Sequence, residues 1–218
     1  MDDFLPFPSR DYFLMFFLLL VARGMDVLST WVATPNLLLE GNPIAKKLGW
    51  RWCLPINAGV CLVLAFWPLP AIVISTTSVL VAARNFQSAW LMRSLGEHAY
   101  RDWHVQRIQE TRITLYLFCL AGNTLLTAGV GAAVIYFSNM PAAGGQPLFV
   151  PFAIGVGIMA YAGAVAFYTL LAIWRLRRAT IREARLKQRS LSLENSNGVK
   201  DGQLAGLAAR EMLQLDGK

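Results

Sequence analysis

Charge is scarce in this chain. Asp, Glu, Lys and Arg make up 15% of its 218 residues, against about 25% in an average soluble domain. Cysteine is scarce too. Cys53, Cys61 and Cys119 each lie in or beside an apolar run, with no C-x-x-C and no disulfide-like spacing. They read as small hydrophobes, and nothing in them implies an oxidising compartment. Histidine occurs twice, in Glu97-His98-x-x-x-Asp102-x-His104. His98 and Asp102 are spaced to share a metal. Yet Glu97 with Arg101 is also an ordinary i,i+4 helix pair, and no further fixed ligand accompanies them. The segment reads as a solvated amphipathic helix, and neither metal nor cofactor is expected. The chain has no H-E-x-x-H, no Gly-rich phosphate loop and no G-x-S-x-G. No catalytic constellation is complete. Nor is a cleavable leader expected: Met1-Asp2-Asp3 is acidic where a basic region belongs, and no small-residue cleavage site follows the run from Tyr12 to Ala22.

Apolar sequence is what remains. Hydrophobic residues make up 56% of the chain, and the mean hydropathy is +0.45. They fall into consecutive runs near 20 residues, the length that crosses a bilayer as a helix. The expected fold is therefore all-α: a helical integral membrane protein with a five-span bundle over residues 1–174. The spans are expected near 11–34, 50–67, 71–92, 113–137 and 148–174. Pro35-Asn36 stops the first. Asn42 and Pro43 look like the N-cap and first turn of a short helix running to about Gly49. Trp67-Pro68-Leu69-Pro70 makes a tight hairpin between spans 2 and 3. Asn139-Met140-Pro141 and Gly144-Gly145 mark the loop between spans 4 and 5. A basic, partly disordered tail is expected over 175–218, with a short amphipathic helix over Gln203 to Leu215.

The net charge of +7 does not point to nucleic acid, because the basic residues sit in short segments flanking the apolar runs. Lys46, Lys47 and Arg51 follow span 1. Arg93, Arg101, Arg107 and Arg112 follow span 3. Arg175, Arg177, Arg178, Arg182, Arg185, Lys187 and Arg189 follow span 5. In a five-span bundle all three segments share one side, while the other side has almost none beyond Arg10. By the positive-inside rule that side is cytoplasmic. The N-terminus is then outside, the C-terminus inside, and the location the cytoplasmic (inner) membrane. The lipid bilayer is the expected partner. Small residues four apart on span 4 (Ala128 with Ala132, Gly129 with Ala133) and span 5 (Ala153 with Gly157, Ala160 with Ala164) form faces for close packing. Those faces serve packing within the bundle or, alternatively, contact with another membrane protein or a second copy.

Polar side chains recur at one depth. At about 1.5 Å per residue, Asp26 lies ~12 Å in from Thr34 and Asn57 ~9–11 Å in from Trp50. By the same measure Asn85 lies ~11 Å in from Met92, and Asn123 ~15 Å in from Ile113. Arg23, Asp26 and Thr30 share one face of span 1. Arg84 stands beside Asn85 and is long enough to reach the interface. Charges at such depth cost ~2.5–3.5 kcal/mol or more and usually have partners inside the bundle. Two readings stand: interhelical glue, or a proton, ion, small-solute or catalytic site. Glu40, Asn42 and Pro43 are expected to fold back beneath Asp26 and Thr30.

Asp26-x-x-x-Thr30, then Glu40-x-Asn42-Pro43, then Asn85 in span 3 resembles a family of small prokaryotic multi-pass membrane proteins with no established activity. The resemblance covers roughly residues 10 to 92 and implies a shared site without a chemistry. Members often carry a Lys in the second span, where the nearest polar residue here is Asn57. Three function classes remain open. The favoured one is an accessory or interaction protein with a buried polar layer. The others are a small transporter or proton-linked channel using that layer, and a membrane enzyme with Asp26 and Glu40 as acid–base groups.

Overall fold

A computed structural model describes residues 4–38, 43–140, 148–176 and 178. Glu40, Asn42 and nearly all of the tail, including 203–215, lie outside the described residues, as do the side chain of Pro43 and the loop glycines 144 and 145. The chain forms two compact units, 1–171 and 172–218. Among the described residues every regular element is helical. Helix α1 is Arg10–Ala33, α2 Pro43–Leu64, α3 Pro68–Leu95, α4 Glu97–Glu110, α5 Ile113–Ser138 and α6 Phe149–Leu176. Four of these, α1, α3, α5 and α6, are long and apolar enough to cross a membrane.

Local chemistry accounts for the helix ends. Ser9 caps α1 by accepting from the Tyr12 amide at 3.1 Å, which satisfies a first-turn donor. Pro35 disfavours helical geometry at Thr34, and α1 stops there. Helix α2 contains both the short helix expected up to Gly49 and the span expected from Trp50, and it ends at Leu64 rather than 67. It begins at Pro43, but Gly49 has φ 64° and ψ −178°, a conformation outside the helix. The regular stretch beyond the kink ends at Leu64. At 1.5 Å per residue that stretch is about 22 Å long, short of the ~30 Å hydrocarbon core. Gly96, at φ 78°, supplies the sharp break between α3 and α4 that a side chain would resist.

Helices α1 and α3 run parallel, with partners at a nearly constant offset. Arg23 meets Ser78, and Ser29 and Thr30 meet Asn85. Helix α2 lies between them in sequence and runs the opposite way. Its Trp50 indole donates to the Pro35 carbonyl at 2.8 Å. Near its other end the Leu62 carbonyl accepts from the Tyr12 hydroxyl at 3.1 Å, and the Leu5 amide donates to the Phe66 carbonyl at 2.8 Å. The core lies at this end, where Tyr12, Leu19, Cys61, Ala65 and Ala71 pack together. Phe66 stacks on Phe4 at 4.9 Å and tilts against Tyr12 at 4.8 Å.

Helix α6, over residues 149–171, joins α5 to α3 by close backbone approach. A Cβ on Gly131 of α5 would lie 2.8 Å from the Gly155 carbonyl oxygen. On Gly157 it would lie 2.7 Å from Thr76 Cβ and 3.0 Å from the Val73 carbonyl oxygen of α3. The small-residue face of α6 at Ala153 and Gly157 is thus buried within the bundle, whereas Gly129, Ala132 and Ala133 of α5 face outward. In the second unit, the Arg178 guanidinium sits 3.7 Å over the Trp174 ring.

Candidate functional site

The polar layer resolves into two clusters, both built on α1. Arg23 centres the first. Its Nη1 donates to Asp26 at 2.9 Å and to Ser78 Oγ at 3.3 Å. Its Nε donates to Asn57 Oδ1 at 2.9 Å, and Nη2 reaches the same oxygen. One guanidinium therefore ties α1 to α2 and α3. The planar fork suits this work, since it presents several donors in fixed directions. The Arg23 and Asp26 side chains keep only 30% and 18% of their exposure. Asn57 is held in turn, its amide donating to the Cys53 carbonyl at 2.7 Å. In the second cluster Asn85 donates to Ser29 Oγ at 3.3 Å and Thr30 Oγ1 at 3.2 Å. Ser29 Oγ also donates to the Asp26 carbonyl at 2.8 Å, so the clusters adjoin.

Two members expected in the layer stand apart from it. Asn123 lies on α5 with its side chain exposed. Its depth matched the layer, but depth carries no information about which way a helix face turns. Arg84 is also exposed, because Asn85 takes the inward direction and adjacent helical residues diverge. Its charge acts on Tyr100 of α4, opposing the upward shift that burial gives that hydroxyl.

Glu97 is the residue that sequence reasoning assigned to the wrong partner. The expected pairing with Arg101 on a solvated face is replaced by burial at 9% exposure. Its carboxylate accepts from Thr34 Oγ1 at 3.1 Å, the Asn36 amide at 2.9 Å, Asn36 Nδ2 at 3.3 Å and the Leu38 amide at 3.3 Å. Between those two amides Leu37 adopts φ 55°, unusual for a residue with a branched side chain. The turn makes a concave nest of N–H groups, a shape that holds anions, and Glu97 is the anion. A carboxylate thus closes the Pro35 end of α1, the role expected of Glu40. The available signals were Gly96, which frees the chain to turn, and the unspent donors of Thr34 and Asn36 after a helix stop.

No group of three or more His, Cys, Asp or Glu that could hold a metal occurs among the described residues. His104 stacks on Tyr100 at 5.8 Å with rings 9° apart, and desolvation holds its imidazole below the usual 6.5. Arg107 pairs with Glu110 at 2.8 Å on the exposed face.

Beside the Arg23 cluster runs a groove of about 850 Å³ between α1 and the second part of α2. Leu20, Gly24, Val27 and Trp31 line one wall and Trp50, Leu54, Ala58 and Cys61 the other. Arg23 and Asn57 touch it, and its surface is overwhelmingly apolar. No protein-family model, no curated protein and no solved structure matches the chain. The resemblance over residues 10–92 therefore rests on its motif residues alone.

Proposed function

We propose that this is a five-span protein of the cytoplasmic membrane, N-terminus outside and C-terminus inside, acting as an accessory or interaction protein. Its polar layer fastens the bundle and performs no chemistry. The observation that carries this reading is that Asp26, Asn57 and Ser78 take four of the five N–H donors of the Arg23 guanidinium. A proton relay or a substrate site needs a group left ready to exchange partners. A fastener needs the reverse, since a buried charge is tolerable when its hydrogen bonds are met.

Parallel packing of α1 and α3 supports the fifth span. A chain that crosses twice in the same direction must return between the crossings, and α2 is the segment available. Its contacts with Pro35 at one end and with Tyr12 and Leu5 at the other span the depth of α1. Outward-facing apolar side chains along α1, α3, α5 and α6 suit a lipid surround, and basic residues gathered on one side supply the orientation.

The transporter reading draws on one observation, the groove that reaches Arg23 and Asn57. Purified protein in liposomes decides between the two. A fastener gives no proton flux across the vesicle, and Arg23→Leu or Asp26→Leu alone lowers folded yield. Removing one partner of a buried pair costs about 3–5 kcal/mol. The double change is expected to restore much of that loss. Flux abolished by Asp26→Asn in a well-folded protein would install the transporter reading instead.

A further inference from the structure

A groove remains between α1 and the second part of α2, beside the contacts that Tyr12, Arg23 and Pro35 make with that helix. The groove has apolar walls, and Leu20, Trp31 and Leu54 in them are exposed. Trp31 and Trp50 stand toward the Pro35 end, and the Trp50 ring is held in place by its bond to the Pro35 carbonyl. Indoles favour the boundary between hydrocarbon and headgroup. Basic residues bracket Trp50 in the chain. Arg51 is exposed and lies on the same face as Leu54, Pro55 and Ala58 of the groove wall, at i+3, i+4 and i+7. Lys46 and Lys47, both exposed, sit on the other side of the Gly49 kink. An apolar groove whose tryptophan end is flanked in the chain by Arg51 and, across the kink, by Lys46 and Lys47 is complementary to an amphiphile with an anionic head.

We propose that this groove seats an acyl chain of an anionic phospholipid of the cytoplasmic leaflet, whose headgroup is held by Lys46, Lys47 and Arg51. The proposal rests on the orientation given above, which puts these cations on the cytoplasmic side. That leaflet is rich in anionic lipid, and each basic residue close to such a surface strengthens binding by about fivefold. A chain lying against Leu20, Val27, Leu54 and Ala58 covers apolar wall. Arg23 need not give up any partner, because Asp26, Asn57 and Ser78 already hold it from behind.

Gly24 offers a clean test. A Cβ there would meet nothing within 4 Å, and Gly24 lines the groove, so Gly24→Leu is expected to fill it with little disturbance of α1. Leu54→Trp, at a position 58% exposed, narrows it from the opposite wall. Delipidated full-length protein in detergent is titrated with phosphatidylglycerol and with phosphatidylcholine of the same chains, and bound lipid is counted by native mass spectrometry. Phosphatidylglycerol should bind the unaltered protein at least about fivefold more tightly. Gly24→Leu and Leu54→Trp should each weaken that binding by a similar factor. Lys46→Gln with Lys47→Gln and Arg51→Gln should erase the preference between the two lipids. Equal binding of both lipids to the unaltered protein overturns the proposal. So does a preference that survives both groove-filling changes. A cytoplasm-active reporter on residue 218, measured on the same proteins, tests the orientation separately. A silent reporter with intact lipid preference would move the site to the outer leaflet and defeat the orientation alone.

Discussion

Glu97 carries more of the structure than its place in a charged connector suggests. Four donors converge on its carboxylate, and two are backbone amides of a turn that holds Leu37 at positive φ. Left without an acceptor, a buried donor costs about 1–3 kcal/mol, and the strained turn loses its anchor with it. Glu97→Ala should therefore destabilise the protein by at least about 1–3 kcal/mol. Glu97→Gln, which keeps one oxygen and loses the charge, should cost less. Reversible unfolding of the purified protein in mixed micelles measures both. An alanine variant as stable as the parent would mean that water serves the turn equally well. Beyond Gly96 and the unspent donors of Thr34 and Asn36, little of this could be read along the chain. The i+4 neighbour Arg101 offered a local partner, while the real partners lie some sixty residues earlier and half of them are backbone amides, which leave no mark in residue type. Arg23 and Asp26 were legible for the opposite reason. Ionised groups three apart inside an apolar run admit few outcomes other than pairing with each other and with whatever polar groups lie level with them.

Among the elements, length and hydropathy foretold α1, α3, α5 and α6, since each is bounded by proline, glycine or charge and must satisfy its own backbone in lipid. Helix α2 was harder to read. Its basic first turns, Gly49 and Pro55 shorten the regular part, and only its partners at both ends of α1 indicate where it runs. Small residues on α5 and α6 were visible in sequence, but not which of them meet. Gly131, Gly155 and Gly157 are positions where backbones touch, and Gly129 is not. Substitution sorts them. Gly157→Ala and Gly131→Ala place a methyl against backbone oxygen and should cost about 1–3 kcal/mol as overpacking. Gly129→Ala meets open space and should be neutral or stabilising by up to about 1 kcal/mol through helix propensity. The temperature at which the detergent-solubilised variants aggregate ranks them. Equal behaviour at 129 and 157 would place the α3–α6 contact elsewhere.

At the scale of the whole molecule, the number of crossings turns on α2. Suppose α2 did not cross. Then α1 and α3 would have to enter from opposite sides and pack antiparallel. Arg23 could not then meet Ser78 while Ser29 and Thr30 meet Asn85 at the same offset. Parity makes the consequence testable in the full chain. With Cys53, Cys61 and Cys119 replaced by Ala, single reporter cysteines Lys47→Cys and Leu69→Cys lie on either side of the spanning part of α2. Both native side chains are exposed. A membrane-impermeant thiol reagent added to intact cells should label the second and leave the first until the cells are opened. A cytoplasm-active reporter fused to residue 218 should give signal. Labelling of both cysteines from outside would make α2 a re-entrant or surface helix and reduce the count to four. The C-terminus would then lie on the same side as the N-terminus, and the basic segments would be split between the two faces of the membrane. That split would run against the positive-inside rule, which is why we expect the first result.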